Sequence, residues 1–316
     1  MSIITITSCP VCGSNDLKKT FDGVDYFSSG EVFPVCDCAH CGFRFTNNFP
    51  SENTIGKYYD SPDYISHSDS DKGLINRLYH HFRKRMLRKK VGLVATHATE
   101  TPIRLLDIGC GTGYFLQATK ERGWVVSGIE KNEKARESAT LRSGLSVNDE
   151  NFFWETESSS FNVVTLWHVL EHLEKLNETI NKIKEITTPE GIIVIALPNC
   201  HSYDAEFYKE LWAAYDIPRH LWHFSPGTVA KLLGKHHLEI IKRVRMPLDA
   251  FYISLLSEKY KGSNLLIRYA RAFGVGTIGF IRSLSDPEQA SSIIYIAKKR
   301  EINRNQANNS EKACPA

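Results

Sequence analysis

Residues 105–113 read Leu-Leu-Asp-Ile-Gly-Cys-Gly-Thr-Gly, and Tyr114-Phe115-Leu116 opens a helical pattern directly after them. An apolar run ending in an acid, followed by alternating glycines, predicts a buried parallel strand, a tight turn and a helix start. Glycine is required where φ must be positive or where a ligand approaches the backbone closely. The helix start beyond it offers unpaired N–H donors. In an open α/β sheet, ligands collect at the carboxyl ends of such strands. An ordinary glycine-rich βα turn is the plainer alternative; the complete strand–turn–helix pattern favours a ligand.

The remaining totals bound the answer. A chain of 316 residues holds one substantial α/β domain and an accessory module. Hydrophobic residues at 42% and charged residues at 24% describe a globular, soluble composition. A net charge of +3 gives no electrostatic case for a nucleic-acid partner. No charge-free apolar stretch reaches the length of a membrane span. Met1-Ser2-Ile3-Ile4-Thr5-Ile6 has neither the basic start nor the apolar core of a signal peptide. A cytoplasmic location is therefore expected, where paired cysteines serve metals more often than disulfides.

Five of the eight cysteines fall in the first 41 residues. Cys9-Pro10-Val11-Cys12-Gly13 and Cys38-Ala39-His40-Cys41-Gly42 are two CxxC knuckles, each followed by a glycine that frees the turn. Together Cys9, Cys12, Cys38 and Cys41 make a tetrahedral zinc site of the ribbon type. Cys36 and His40 are spare donors nearby, and a redox CxxC is the competing reading. Phe21, Tyr26, Phe27, Val32 and Phe33 between the knuckles, with Phe43-Arg44-Phe45-Thr46 beyond, predict a small β module. So few residues bury little core, so the metal would supply much of the stability.

Residues 51–98 read as a linker and a helix. Leu74, Leu78, Phe82, Met86 and Leu87 recur at helical spacing. The other face carries Arg77, His80, His81, Arg83, Lys84, Arg85, Arg88, Lys89 and Lys90. A solvated face is preferred for them over a collar for an anionic substrate.

A second apolar run, Trp124–Ile129, ends in Glu130, 23 residues beyond Asp107. A carboxylate there accepts hydrogen bonds from both hydroxyls of a ribose. Dinucleotide folds need GxGxxG, whereas this turn is GxGxG with an acid ahead of it, which suits a cationic amino-acid end better than a pyrophosphate. On these residues the chain resembles the class I S-adenosylmethionine-dependent methyltransferases. Phe161–Leu173, containing His168-Val169-Leu170-Glu171-His172, is similar to the fourth strand and following turn of the branch that includes ubiquinone-pathway O-methyltransferases. Gly191–Asn199 is similar to the fifth strand.

The resemblance implies a Rossmann-like, doubly wound seven-stranded α/β sheet over residues 99–300, preceded by the zinc-ribbon module at 1–50. It implies S-adenosyl-L-methionine as cofactor, held by Asp107, Gly109, Cys110, Gly111, Gly113 and Glu130, with His168 facing the cofactor cleft. The adenine-contacting acid is left open within Asn148-Asp149-Glu150. Asn162 stands where the family has Asp, a change expected to affect strand-end packing. His168, Glu171 and His172 at i, i+3 and i+4 could share a divalent metal, but a capped helix start with a buried histidine is preferred.

The insertion at 198–224 is rich in aromatics and histidines, as an acceptor pocket would be. Arg219 is a candidate for holding a carboxylate or phosphate, and His220 or His223 for the catalytic base. A second insertion at 248–285 is expected to be helical, as a lid, a dimer face or a peripheral membrane contact. Residues 301–316 are polar and read as a disordered tail. The resulting expectation is methyl transfer to a small-molecule or glycan-type acceptor, on oxygen or carbon, without a nucleic-acid partner and with oligomeric state open. Zinc ribbons ahead of this domain resemble those of sugar C-methyltransferases, the source of the glycan expectation. A non-catalytic zinc-ribbon and cofactor-binding interaction module is the alternative, and a nicotinamide oxidoreductase is disfavoured by the glycine spacing.

Overall fold

The computed structural model describes residues 2–59 and 74–300, with the side chains of 74–83 outside the description. The tail at 301–316, Tyr64 and the face formed by Arg77, His80, His81 and Arg83 therefore lie outside the described residues. The N-terminal module contains β1 (Ile3–Ile4), β2 (Leu17–Val24), β3 (Val32–Cys38), β4 (Arg44–Thr46) and β5 (Phe49–Pro50). Helix α1 (Leu74–His97) leads into the larger domain.

That domain alternates strand and helix: β6 (Arg104–Ile108), α2 (Tyr114–Lys120), β7 (Val125–Ile129), α3 (Glu133–Ser143), β8 (Val147–Asn148), α4 (Glu150–Glu155), β9 (Phe161–Trp167), α5 (Leu176–Ile186) and β10 (Thr187–Pro198). After the first insertion come α7 (Pro226–Lys235), β12 (Leu238–Arg245) and β13 (Ser292–Lys299); α6 and β11 belong to the insertion itself and are placed below. The seven strands are ordered β12-β13-β10-β9-β6-β7-β8. Six strands point the same way, and β13, between β10 and β12, is antiparallel to both. This is the doubly wound sheet expected from the sequence. The winding direction reverses between β6 and β9, which places a crevice at their carboxyl ends.

The central strands are buried on both faces, so they read as apolar runs without alternation. Val163, Val164 and Leu166 of β9 and Ile192–Val194 of β10 are all 0% exposed. Asn162 accepts the Arg104 amide at 2.8 Å and donates to the Pro102 carbonyl at 2.9 Å, tying the starts of two strands together. Helix α7 begins on a capping box in which Ser225 and Thr228 bond each other's backbone, with Pro226 in the first turn.

The first insertion departs from the pocket wall expected of it. It forms α6 (Tyr203–Tyr208), two 3-10 turns and the short strand β11 (Trp222–His223). Strand β11 pairs antiparallel with β4, Trp222 opposite Phe45 and His223 opposite Arg44, so the module's sheet runs β11-β4-β3-β2. Phe43 packs on Phe224 and Trp222 with ring centroids 5.6 and 6.1 Å apart. The Trp222 indole donates to the Leu173 carbonyl at 2.7 Å, and the Leu221 amide to the Glu171 carbonyl at 2.8 Å.

Arg219 is not a substrate anchor. It is 2% exposed, and its guanidinium is consumed by Asp216, by Asp25 at 3.0 Å and by the Tyr58 carbonyl at 2.9 Å. Asp25 in turn accepts the Ser29 amide and hydroxyl, each at 2.9 Å. Arg44 is likewise taken up by Asp37, at 2.7 and 2.8 Å, and by the Tyr215 hydroxyl.

The second insertion is a helical hairpin, α8 (Asp249–Tyr260) and α9 (Leu265–Ser285). The helices meet at Gly276, where an added Cβ would lie 2.6 Å from the Phe251 ring.

Removing one member of a buried charge cluster strands the others without partners. Arg219→Ala is expected to lower unfolding stability by about 3–5 kcal/mol, read by urea titration. A loss below about 1 kcal/mol would mean that water replaces the guanidinium at Asp25.

Candidate functional site

The turn after β6 has positive φ at all three glycines, +68° at Gly109, +55° at Gly111 and +80° at Gly113. Their neighbours separate their roles. A Cβ on Gly109 would lie 2.5 Å from the Val169 side chain, and one on Gly113 2.8 Å from the Ala139 backbone. These two glycines therefore admit protein. A Cβ on Gly111 would meet nothing within 4 Å, so the space above this residue is open.

Glu130 at the end of β7 closes the turn. Its carboxylate accepts the Gly111 amide at 2.8 Å and the Asn132 amide at 2.9 Å, and both oxygens keep lone pairs for hydroxyl donors. The Cys110 amide donates to the Ile129 carbonyl at 2.9 Å, locking the turn to β7. Asp107 lies below the turn, 1% exposed, and accepts the Thr165 hydroxyl at 2.6 Å. Burial pushes its carboxyl up to about 7 against the opposing pull of that hydroxyl and of Lys90. Asp149 caps α4 by accepting the Asn151 amide.

His168 follows β9 with a φ of +58°. Its ring is one-third exposed and lies between two carboxylates, Glu171 at 3.3 Å and Asp249 of α8 at 3.5 Å. Burial opposes the imidazolium, yet the bonds to Asp249 and Glu171 prevail and raise the group to about 9. Lys90 of α1 joins the same region, its ammonium 4.2 Å from the centre of the Trp167 ring. Burial depresses its pKa, with Asp107 and Asp249 opposing. Neither Lys90 nor Asp249 stood out as a site residue in the sequence. Lys90 sat within a basic run, and Asp249 lay far along the chain in an apolar insertion.

A second cluster stands beside this one. Donor atoms of Glu171, His172 and His220 lie within 4.8 Å of one another, so in this cluster His220 from the insertion, and not His168, stands beside Glu171 and His172. Glu171 is 0% exposed, and neither of its oxygens has a regular hydrogen bond among the described residues. The two histidines are oriented by backbone: His172 Nδ1 lies 3.0 Å from the Arg219 carbonyl, and His220 Nδ1 2.8 Å from the Ala214 carbonyl. A carbonyl can only accept, so Nδ1 carries a proton in each and Nε2 is the nitrogen left to take up or release one. Burial and the neighbouring His220 lower His172 to about 4, so it is neutral at pH 7.

His223, the other candidate base, is 4% exposed in β11, and its Nε2 lies 3.0 Å from the Thr46 hydroxyl. It belongs to the joint between the module and the insertion, where it is paired opposite Arg44.

The four cysteines converge. Gly13 and Gly42, with φ of +78° and +77°, donate their amides back to the Cys9 and Cys38 carbonyls, each at 2.8 Å. Cys9 and Cys41 sulfurs are 3.5 Å apart, as are those of Cys12 and Cys38, and all four lie within 4.8 Å. Tetrahedral thiolate coordination at ~2.3 Å needs sulfurs roughly 3.8 Å apart, so the set fits such an ion. Cys36, in β3, lies outside the cluster.

The His168 arrangement predicts a pH dependence. A histidine raised from 6.5 to about 9 stabilises the fold fully below pH 6.5 and loses that contribution as the pH climbs to about 9. The melting-temperature gap between the natural chain and Asp249→Asn should be widest below pH 6.5 and close above about pH 9. A gap unchanged across that range would show that the two groups do not pair.

Comparison with known proteins agrees with this geometry. Residues 79–243 match a family model described as a methyltransferase domain. The ubiquinone biosynthesis O-methyltransferase of Paraburkholderia phymatum is 33% identical over 113 residues, covering 34% of this chain and 49% of that protein. The Rickettsia typhi protein of the same name is 24% identical over 216 residues, covering 63% and 84%. The chain thus spans about half the length of the first curated relatives it matches. Among solved structures, magnesium protoporphyrin IX methyltransferase from Synechocystis PCC 6803 with bound SAH is alike in fold, with a TM-score of 0.51, 12% identity and coverage of 79% of this chain and 100% of that one. With the family model spanning more than half of its length, and a glycine turn and sheet order of the matching kind, this chain belongs to the methyltransferase-domain family.

Proposed function

We propose that the chain transfers a methyl group from S-adenosylmethionine to a hydroxyl of a small organic acceptor, with His220 as general base. The observation that carries this reading is the open space above Gly111, bounded by the Glu130 carboxylate. When bound, the cofactor supplies an electrophilic methyl on a cationic sulfur. The Gly109–Gly113 turn and the Cys110 amide form the floor, Glu130 takes the ribose hydroxyls, and Asp107 supports the floor from beneath. His168, with Asp249 and Glu171, stands at the end of β9, where the acceptor and methyl must meet.

His220 offers a lone pair at Nε2, and the adjacent Glu171 carboxylate stabilises the imidazolium that forms when the acceptor loses its proton. The curated relatives are O-methyltransferases by name, which supports an oxygen acceptor. A glycan-type molecule remains within this reading as one bearer of such a hydroxyl. The internal use of Arg219 and Arg44 favours an acceptor without a phosphate. We assign zinc to Cys9, Cys12, Cys38 and Cys41 as a structural ion that ties the first knuckle to the end of β3.

Three measurements test this. Calorimetry should detect S-adenosylmethionine and not NAD, with Glu130→Ala weakening the former at least tenfold, roughly the worth of one charge-assisted hydrogen bond. His220→Ala should cut turnover by ~10²–10⁴-fold with cofactor affinity unchanged, in a labelled-methyl screen of extract fractions. Cofactor binding without any transferable label in that screen would leave only a binding module. The purified protein should carry one zinc, lost in Cys12→Ser and Cys41→Ser; a metal-free natural chain would sink that assignment.

A further inference from the structure

Helix α9 is apolar on the wrong side. The residues it turns toward α8 and the core are small: Ala272, Val275, Gly276, Gly279 and Ser283 are buried. Its large apolar residues face outward, with Leu266 82% exposed, Phe273 70%, Ile281 58% and Leu284 57%. Spacings of seven, eight and three residues align these four along one stripe of a helix about 30 Å long. A helix shaped only for packing in water has the opposite distribution. Large apolar side chains exposed along one stripe, with only Thr277 among them polar, mark a contact.

Charge identifies the partner. Residues 262–285 contain Arg268, Arg271 and Arg282 and not one carboxylate. Arg271 and Arg282 are exposed on the flank of α9 beyond the stripe, Arg282 with its guanidinium carbon 4.4 Å from the centre of the Tyr203 ring, and Lys261 is exposed at the preceding turn. Two copies joined through α9 would bring together two arginine-bearing segments that have no carboxylate between residues 262 and 285. An anionic lipid surface reverses that penalty, taking the apolar side chains among its acyl chains and the arginines among its phosphates. No described helix is long and apolar enough to cross a membrane, so the contact is lateral.

We propose that α9 is an in-plane docking face for an anionic membrane surface. The hairpin is suited to the task because α8 is held to the cleft by Asp249 at His168, while α9 buries only its small residues and leaves its large apolar ones exposed. Such docking is independent of which acceptor is methylated.

The test is sedimentation of the full chain with phosphatidylcholine vesicles and with the same vesicles containing phosphatidylglycerol. Binding should require phosphatidylglycerol and fall with salt, and Phe273→Glu/Ile281→Glu should lower the partition coefficient by about tenfold or more. Both positions are exposed, so the melting temperature and S-adenosylmethionine affinity should not change. As an independent readout, Phe273→Trp emission should shift to the blue on adding the anionic vesicles. The proposal is overturned by equal partition of the double variant, by an unshifted Trp spectrum, or by a dimer that the same substitutions dissociate while neither form binds vesicles.

Discussion

The arrangement of both domains depends on one guanidinium. Arg219 is buried, with Asp216 on its own segment, Asp25 from the hairpin of the N-terminal module and the Tyr58 carbonyl from the connecting turn. Its charge is neutralised by two carboxylates from separate parts of the chain, and the Phe27 ring covers it with the guanidinium carbon 4.7 Å from the ring centre. Taking such charges from water is costly, and only near-complete hydrogen bonding offsets it. The chain satisfies every nitrogen of the guanidinium. This dictates the position of His220, the next residue, and through the Arg219 carbonyl the ring of His172. The proposed acid–base cluster is thus oriented by a buried ion pair, one of whose carboxylates, Asp216, lies 3.9 Å from His220 Nε2.

The two neighbouring clusters divide the histidines by environment. His168 lies between two carboxylates and is driven toward its charged form, whereas burial and the neighbouring His220 drive His172 toward its neutral form against the pull of Glu171 and Asp216. Glu171 faces both groups, and His168 beside it holds it ionised despite its burial. A carboxylate without regular hydrogen bonds in a closed site is a source of field that costs no reorganisation when positive charge appears next to it.

Much of the fold was legible because local chemistry demanded it. Three alternating glycines after an apolar run leave few backbone options, and the structure uses each of the three at positive φ. The paired knuckles announced themselves by spacing. The apolar runs of β9 and β10 reflect burial on both faces, visible without any partner. The site was less legible. The pairing of β11 with β4 joins residues nearly 180 positions apart through two-residue segments, too short for any periodicity. The role of Arg219 depended on Asp25, and a charged residue in an aromatic-rich loop looks like a ligand anchor until its distant partner is known. His223 resembles a base in the sequence for the same reason: a histidine's partners, not its type, decide whether it works on an acceptor or braces a strand. Asp249 carried no signal at all, since one acid at the head of a helix is indistinguishable from an ordinary cap.

The strand lent by the insertion to the module's sheet has a consequence for how such a protein can change. A ribbon of this kind looks detachable, a small unit placed ahead of a larger one. Here its sheet is completed only by Trp222 and His223, so removing or exchanging the first fifty residues would expose β11 and its aromatic neighbours, while grafting them elsewhere would leave β4 an open edge. The heritable unit is therefore discontinuous: residues 1–50 and 198–224 must be inherited, recombined or engineered as a pair, and substitutions at Phe45 and Trp222 should constrain each other more tightly than either is constrained by its neighbours in the chain.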